Sequence, residues 1–342
     1  MLLGRRTRNR AKIIAITLAL TSAASAIFGV AMTPSGPWHH TVWVSVGSSL
    51  LIGGPLVLWV LFGLESTLGR RLKRLPILVY FGANLMVMTA ALLGGHYAAY
   101  LLLWTRSGRF LDDPVLPSAL MFSVVVVATV SIAIELRRLI GPGVFGALLA
   151  GRYRYPRTER RVFLPLDVVG STTLAERLGP ERFLIFLDRW IRTLTEPLLA
   201  SGGRIYRYVG DEAVLTWTWT PDAVERALAF VVAATDAVAR DTKTWQRDFG
   251  AAPRTRAALH AGPVIAGEIG DLKREIAFLG DTLNTASRIL EETRRHDGLV
   301  LASAEALDGV RLPAGSVRRD LGPVALRGKA EPVPLVVIAR GD

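Results

Sequence analysis

Residues 162–178 read VFLPLDVVGSTTLAERL, an apolar run that delivers one carboxylate, Asp167, to a Gly-Ser-Thr-Thr turn. Four to eight apolar residues closed by glycine and serine have the pattern of a buried strand. Gly170-Ser171-Thr172-Thr173, with Glu176 three residues further on, predicts a capped helix start. Asp167 is therefore expected at a strand's end, beside backbone N–H groups suited to phosphate. An aspartate in an ordinary structural turn would read the same way, so the rest of the chain has to decide.

The chain has 342 residues, enough for two or three domains. With 51% apolar residues and a mean hydropathy of +0.35 it is too apolar to be wholly soluble. The net charge of +12 suggests a nucleic-acid binder until it is divided along the chain. Residues 1–161 hold 18 of the 41 Lys and Arg and 5 of the 29 Asp and Glu, and the remaining 23 and 24 nearly cancel. All the basic excess belongs to the apolar half, where it is a topology signal, and no nucleic-acid partner is expected. Cysteine is absent, which excludes disulfides, thiolate chemistry and Cys-ligated metals.

Apolar runs at about 13–33, 42–64, 77–104 and 117–136 each approach the ~20 residues that cross a bilayer. They predict a membrane domain of four transmembrane helices within residues 1–136. The loop at 34–41 has no Lys or Arg, whereas 69–76 carries Arg70, Arg71, Lys73 and Arg74. In the third loop Arg106 and Arg109 balance Asp112 and Asp113, and Arg137, Arg138, Arg152, Arg154 and Arg157 follow the last run. By the positive-inside rule both termini are cytoplasmic, in the plasma (inner) membrane. A signal peptide cleaved near Ala24-Ser25-Ala26 is the competing reading of the first run, and it too leaves the C-terminal half cytoplasmic.

His96 is expected as an interfacial or helix-packing histidine, since its own helix holds no acidic partner. His39 and His40 are expected in an outer loop, and Trp38, Trp43, Trp59 and Trp104 as interface anchors. Gly141-Pro142-Gly143 breaks any helix leaving the membrane, and residues 137–161 form a basic connector suited to an anionic leaflet.

Residues 162–342 alternate strand and helix signals. Helices are expected at 172–178, 180–200, 221–245 and 281–292, the last opening on an Asp cap. Strands at 203–209 and 212–217 flank Gly210-Asp211 as a hairpin, and strands at 256–261 and 264–269 flank Gly262-Pro263. A further strand covers 275–279. The result is an α+β domain large enough for its own core. Asp167 at one strand end and Asp211 at a hairpin tip are two carboxylates without Cys or clustered His, which favours Mg²⁺ or Mn²⁺ with a phosphate substrate. Asn284 and Arg288, four apart, share a helix face and suit a ribose oxygen and a phosphate; a solvated face with an i,i+4 contact would look the same. Arg256, Arg327 and Lys329 read either as phosphate ligands or as surface charges.

These residues resemble the class III nucleotide cyclases, the adenylate and guanylate cyclases, over roughly 162–338. Residues 166–172 (LDVVGST) and 208–212 (YVGDE) resemble the family's two metal-binding segments. Residues 256–262 (RAALHAG) resemble the strand whose leading arginine meets the terminal phosphates. Residues 279–288 (LGDTLNTASR) are similar to the segment carrying the transition-state asparagine and arginine, and 326–329 (LRGK) to the late basic loop, with Arg327 in place of the usual lysine. Five segments in the right order and spacing make the match specific.

The resemblance implies an antiparallel-rich sheet with flanking helices around a ferredoxin-like core, working as a head-to-tail homodimer with its sites at the interface. One chain would give Asp167, Asp211 and Arg256, with the Val168 carbonyl assisting at two metals. The other would give Asn284, Arg288 and Arg327. ATP would be converted to cyclic AMP. At the base pocket, where the family has lysine and aspartate or threonine, the chain has Arg207 and Ala277, and Ala277 offers no acceptor to an exocyclic amine. His260 is expected to be a core strand histidine. A guanylate cyclase and a catalytically silent nucleotide-binding receptor are the alternatives. A diguanylate cyclase, whose hairpin residues 209–212 also resemble, would leave Asn284 and Arg288 without a role.

Overall fold

The computed structural model describes residues 3–32, 37–62, 66–72, 75–103, 116–140, 146, 151–271 and 274–341. The chain divides into two compact units, Thr7–Phe145 and a second made of Met1–Arg6 and Gly146–Asp342.

The first unit is helical: α1 (Leu3–Met32), α2 (Trp38–Leu61), α3 (Thr67–Leu72), α4 (Ile77–Leu103) and α5 (Leu116–Ile140). Ile14–Met32, Trp38–Trp59 and Met86–Leu103 are long and apolar enough to cross a bilayer, whereas the apolar stretch of α5, Leu116–Val130, is shorter. Length and composition thus support three of the four expected spans. Ile52, Leu56, Met88 and Leu92 pack together between α2 and α4. At Gly95 an added Cβ would lie 2.8 Å from the Ile52 Cα, so only glycine admits this approach. His96 Nε2 lies 2.9 Å from Ser123 Oγ on α5, which makes it the helix-packing histidine expected. His39 and His40, expected in a loop, instead open α2. The third loop and Gly141-Pro142-Gly143 lie outside the described residues.

The second unit contains β1 (Arg157–Val168), α6 (Ser171–Leu178), α7 (Pro180–Ser201), β2 (Arg204–Val209), β3 (Glu212–Thr218), α8 (Ala223–Arg240) and α9 (Thr242–Phe249). Then come β4 (Thr255–Ile269), β5 (Glu275–Leu279), α10 (Asp281–Glu292), β6 (Val300–Ser303), β7 (Ser316–Val324) and β8 (Val333–Arg340). The sheet order is β2-β3-β1-β4-β6-β8-β7, with β5 pairing β4. Its first four strands are antiparallel and, with the helices between them, form the ferredoxin-like βαββαβ unit. β6 joins β4 in parallel, so the whole sheet is mixed.

Leu164, Leu166, Leu215, Trp217 and Leu259 of the strands bury against Phe186, Trp190, Leu228, Phe230 and Trp245 of the helices. Truncating any one of these aromatics would cost roughly 3–5 kcal/mol.

Four details differ from expectation. β1 begins at Arg157, inside the stretch read as a connector. The helix expected over 221–245 is two helices meeting at Asp241, because a turn there lets Trp245 and Phe249 reach Phe186, at ring distances of 5.2 and 5.3 Å. Residues 256–269 form one strand: Pro263 lacks an N–H, but β4 is paired only with β1 at that point, so no ladder bond is lost to a second neighbour. Neither α6 nor α10 has a side-chain cap. Gly170 (φ +71°) and Gly280 (φ +138°) stand at their N-cap positions in backbone conformations that favour glycine.

Candidate active site

The β1–β4 register sets Asp167 opposite Arg256. The guanidinium takes the carboxylate with both prongs, Nε to Oδ1 at 2.6 Å and Nη2 to Oδ2 at 2.7 Å. Such bidentate, charge-assisted pairs are the strong ones, and Asp167 is only 9% exposed. This contact raises Arg256 above the usual arginine range. Asp211 follows Gly210, whose φ of +62° makes the tight turn between β2 and β3.

Glu212, next along, is half-buried. Burial and then the charge of Asp167 push its carboxyl above the usual carboxylate range, with Arg207 opposing and Asp211 and, from α10, Glu291 adding. Asp167, Asp211 and Glu212 therefore crowd one end of the sheet, with Arg256 and Arg207 as the nearby cations named by these interactions. Sequence reasoning treated Glu212 only as part of a motif, although two adjacent acids at a hairpin tip were a signal of this crowding.

Among the described residues no three His, Cys, Asp or Glu side chains are grouped as a ready-made ligand set. The donors are nevertheless all oxygen and in acidic excess, a set that fits a hard dication. Asp167, Asp211 and the main-chain oxygen of Val168 would hold it.

The second group lies on α10. Its start is anchored by the Thr282 hydroxyl, which donates to the Pro263 carbonyl at 2.6 Å. Asp281 is the first helical residue, with no capping role; its carboxylate accepts from Lys329 and from Thr285, and Lys329 holds it below the usual range. Arg288 donates to Glu291 at 2.6 Å, while Asn284 and Arg327 are exposed. From Pro263 back to Arg256 the strand runs seven residues, roughly 23 Å. Asn284, less than one turn into α10, stays near the Pro263 end. Among the described residues no hydrogen bond or ion pair joins Asn284 or Arg288 to Asp167 or Asp211.

The two positions expected at the base pocket come from separate strands. Arg207 is exposed on β2 and Ala277 is 6% exposed on β5. Their neighbours meet, the Phe278 N–H donating to the Tyr206 hydroxyl at 3.2 Å. His260 is buried with Nδ1 2.7 Å from Ser303 Oγ, a core histidine as expected, and burial pushes its pKa down.

Residues 156–338 match the family model described as the adenylate and guanylate cyclase catalytic domain. The chain belongs to this family, the class III nucleotide cyclases. It is 34% identical over 315 residues to Adenylate cyclase 2 of Rhizobium meliloti (strain 1021), over 88% of this chain and 86% of that one. It is also 30% identical over 205 residues to an uncharacterised protein of Mycobacterium tuberculosis (strain ATCC 25618 / H37Rv), over 58% of this chain and 36% of that protein. A solved bacterial light-regulated adenylyl cyclase shares the fold with a TM-score of 0.51 at 19% identity, over 66% of this chain and 65% of that one.

Proposed function

We propose that this class III adenylate cyclase is a membrane-anchored homodimer that converts ATP into 3′,5′-cyclic AMP and pyrophosphate, with each site shared between two copies of the C-terminal domain. The observation that carries the reading is the division within one chain. Asp167, Asp211 and Arg256 gather at one end of the sheet, whereas Asn284 lies less than one turn from the start of α10, which is anchored at Pro263, seven residues along β4 from Arg256. A two-fold partner would supply the missing half of each site.

Two Mg²⁺ or Mn²⁺ ions, when bound by Asp167, Asp211 and the Val168 carbonyl, would lower the pKa of the ribose 3′-hydroxyl and neutralise phosphate charge. The Arg256 fork has the shape to take terminal phosphate oxygens, and the N–H groups at the start of α6 adjoin Asp167. Arg207 donates to the adenine N1 beside Ala277. From the other copy, Asn284 orients the ribose and Arg288 stabilises charge on the α-phosphate. Arg327 and Lys329 face the departing phosphates. The 3′-oxygen bonds the α-phosphorus as its bond to the bridging oxygen breaks; pyrophosphate leaves with the electron pair, and the hydroxyl proton passes to water.

ATP is favoured by the likeness to Adenylate cyclase 2 along most of both chains. A guanylate cyclase is the second reading, because Ala277 cannot accept from the adenine amine. The three apolar helices support the anchor; in this reading α5 would be a fourth span. The positive-inside pattern puts the catalytic domain in the cytoplasm at the plasma (inner) membrane. Product identification from the purified chain with ATP, GTP and Mn²⁺ tests the reading. Cyclic AMP is expected; cyclic GMP as main product, cyclic di-GMP, or no product at all would contradict it.

A further inference from the structure

In the sheet, β2 and β5 are remote, with β3, β1 and β4 between them. Four inter-strand spacings of ~4.8 Å would hold them roughly 19 Å apart if the sheet were flat. They touch nonetheless. The Phe278 N–H of β5 donates to the Tyr206 hydroxyl of β2 at 3.2 Å, and the two rings lie 5.0 Å apart.

A bulge aims Tyr206 this way. The β2–β3 register passes from Ile205 opposite Leu215 to Arg207 opposite Val214, which leaves Tyr206 as the extra residue. Bulges bend a strand and re-aim a side chain. Phe163 of β1 fills the space between, its ring 6.3 Å from Tyr206 and 5.7 Å from Phe278. Arg161, two residues earlier on the same face of β1, stacks 4.5 Å over the Phe278 ring. It is 3% exposed and held by Glu159 Oε1 at 2.6 Å and the Tyr153 hydroxyl at 2.9 Å. A buried guanidinium is tolerated only where its charge and donors are met in this way. Tyr153 is also buried, and its carbonyl accepts the Glu268 N–H of β4 at 2.9 Å.

The reaction outlined above uses none of these side chains. Yet Arg207 directly follows Tyr206 and Ala277 directly precedes Phe278, so this contact fixes how the two base-facing positions stand to one another. We propose that Tyr206 and Arg161 are positioning residues for the nucleotide base. The bulge-borne hydroxyl and the stacked guanidinium clamp β5 against β2 and so set the discrimination between ATP and GTP. The inference rests on the reading of Arg207 and Ala277 as the base pocket.

The test measures kcat and KM with ATP and with GTP for the full chain in membranes, as wild type, Tyr206→Phe, Arg161→Lys and Arg207→Ala. Tyr206→Phe keeps the ring and removes only the oxygen that accepts the Phe278 N–H. Loss of one such hydrogen bond is expected to raise KM for ATP about fivefold with kcat within about twofold, and to shift the ATP:GTP ratio of kcat/KM by about threefold or more. Arg161→Lys keeps the charge and loses the stacking plane, and should shift KM and the ratio in the same direction. A lower melting temperature with KM and ratio unchanged, or a fall in kcat alone, overturns the proposal. Should Tyr206→Phe fail to accumulate, Arg161→Lys decides by the same criteria. Arg207→Ala separates the two levels of the argument. If it moves neither KM nor the ratio, the base pocket itself is misassigned; if it moves them and Tyr206→Phe does not, only the clamp fails.

Discussion

Asp167 has two partners to serve. In the structure it is matched by Arg256 at 2.6 Å, and in the proposed reaction it is a metal ligand. Asp167→Asn and Asp211→Asn should each abolish turnover at saturating Mn²⁺ while the domain stays folded, because the hydroxyl is no longer made nucleophilic. Cyclic nucleotide assay beside a thermal melt checks this, and activity retained in either variant would remove the two-carboxylate site. His260 sets a second expectation. Burial lowers its folded-state pKa below the ordinary histidine value of 6.5, so the unfolded chain binds the proton more readily. Its contribution to stability is therefore present above about pH 6.5 and is lost as pH falls from there towards the folded pKa. The melting temperature of the cyclase domain in the full chain should fall between pH 7 and 5.5, and His260→Gln should flatten that slope; an unchanged slope would assign the loss to other groups.

Among the elements, the turn from α7 into β2 is tightly built. A Cβ at Gly203 would come within 2.4 Å of Leu198 Cδ1 and 2.5 Å of Trp217 Cε2. Gly203→Ala should destabilise by about 1–3 kcal/mol through overpacking, read as a lower melting temperature; a neutral result would show that Leu198 and Trp217 can yield. The elements themselves were largely legible, because residues 162–168 and 275–279 carry unmistakable apolar runs and 281–292 a helical one. The boundaries were not. The break at Asp241 comes from the tertiary demand to bury Trp245 and Phe249, and the continuity of β4 through Pro263 depends on which edge is left unpaired. The bulge at Tyr206 was hidden because residues 204–209 give no sequence sign of an extra residue. The motifs marked Asp167, Asp211 and Arg256, but the pairing of Arg256 with Asp167 follows only from strand register.

For the whole molecule, one chain holds both halves of the proposed site, and among the described residues no hydrogen bond or ion pair joins Asn284 to Asp167. Asp167 ends β1, whereas Asn284 sits near the start of α10, which is anchored at Pro263. If two copies complete each other, Asp167→Ala and Asn284→Ala homodimers are each inactive, because a two-fold axis repeats the lesion at both sites. A mixed dimer concentrates both lesions in one site and leaves the other intact. The deciding measurement is cyclic nucleotide formation in membranes from cells co-expressing the two variants with orthogonal tags, beside each variant alone. With equal expression and random pairing, half the dimers are mixed and one of their two sites works, giving roughly a quarter of wild-type activity. Activity at background in the co-expressed sample, with mixed dimers recovered through both tags, would contradict the shared site.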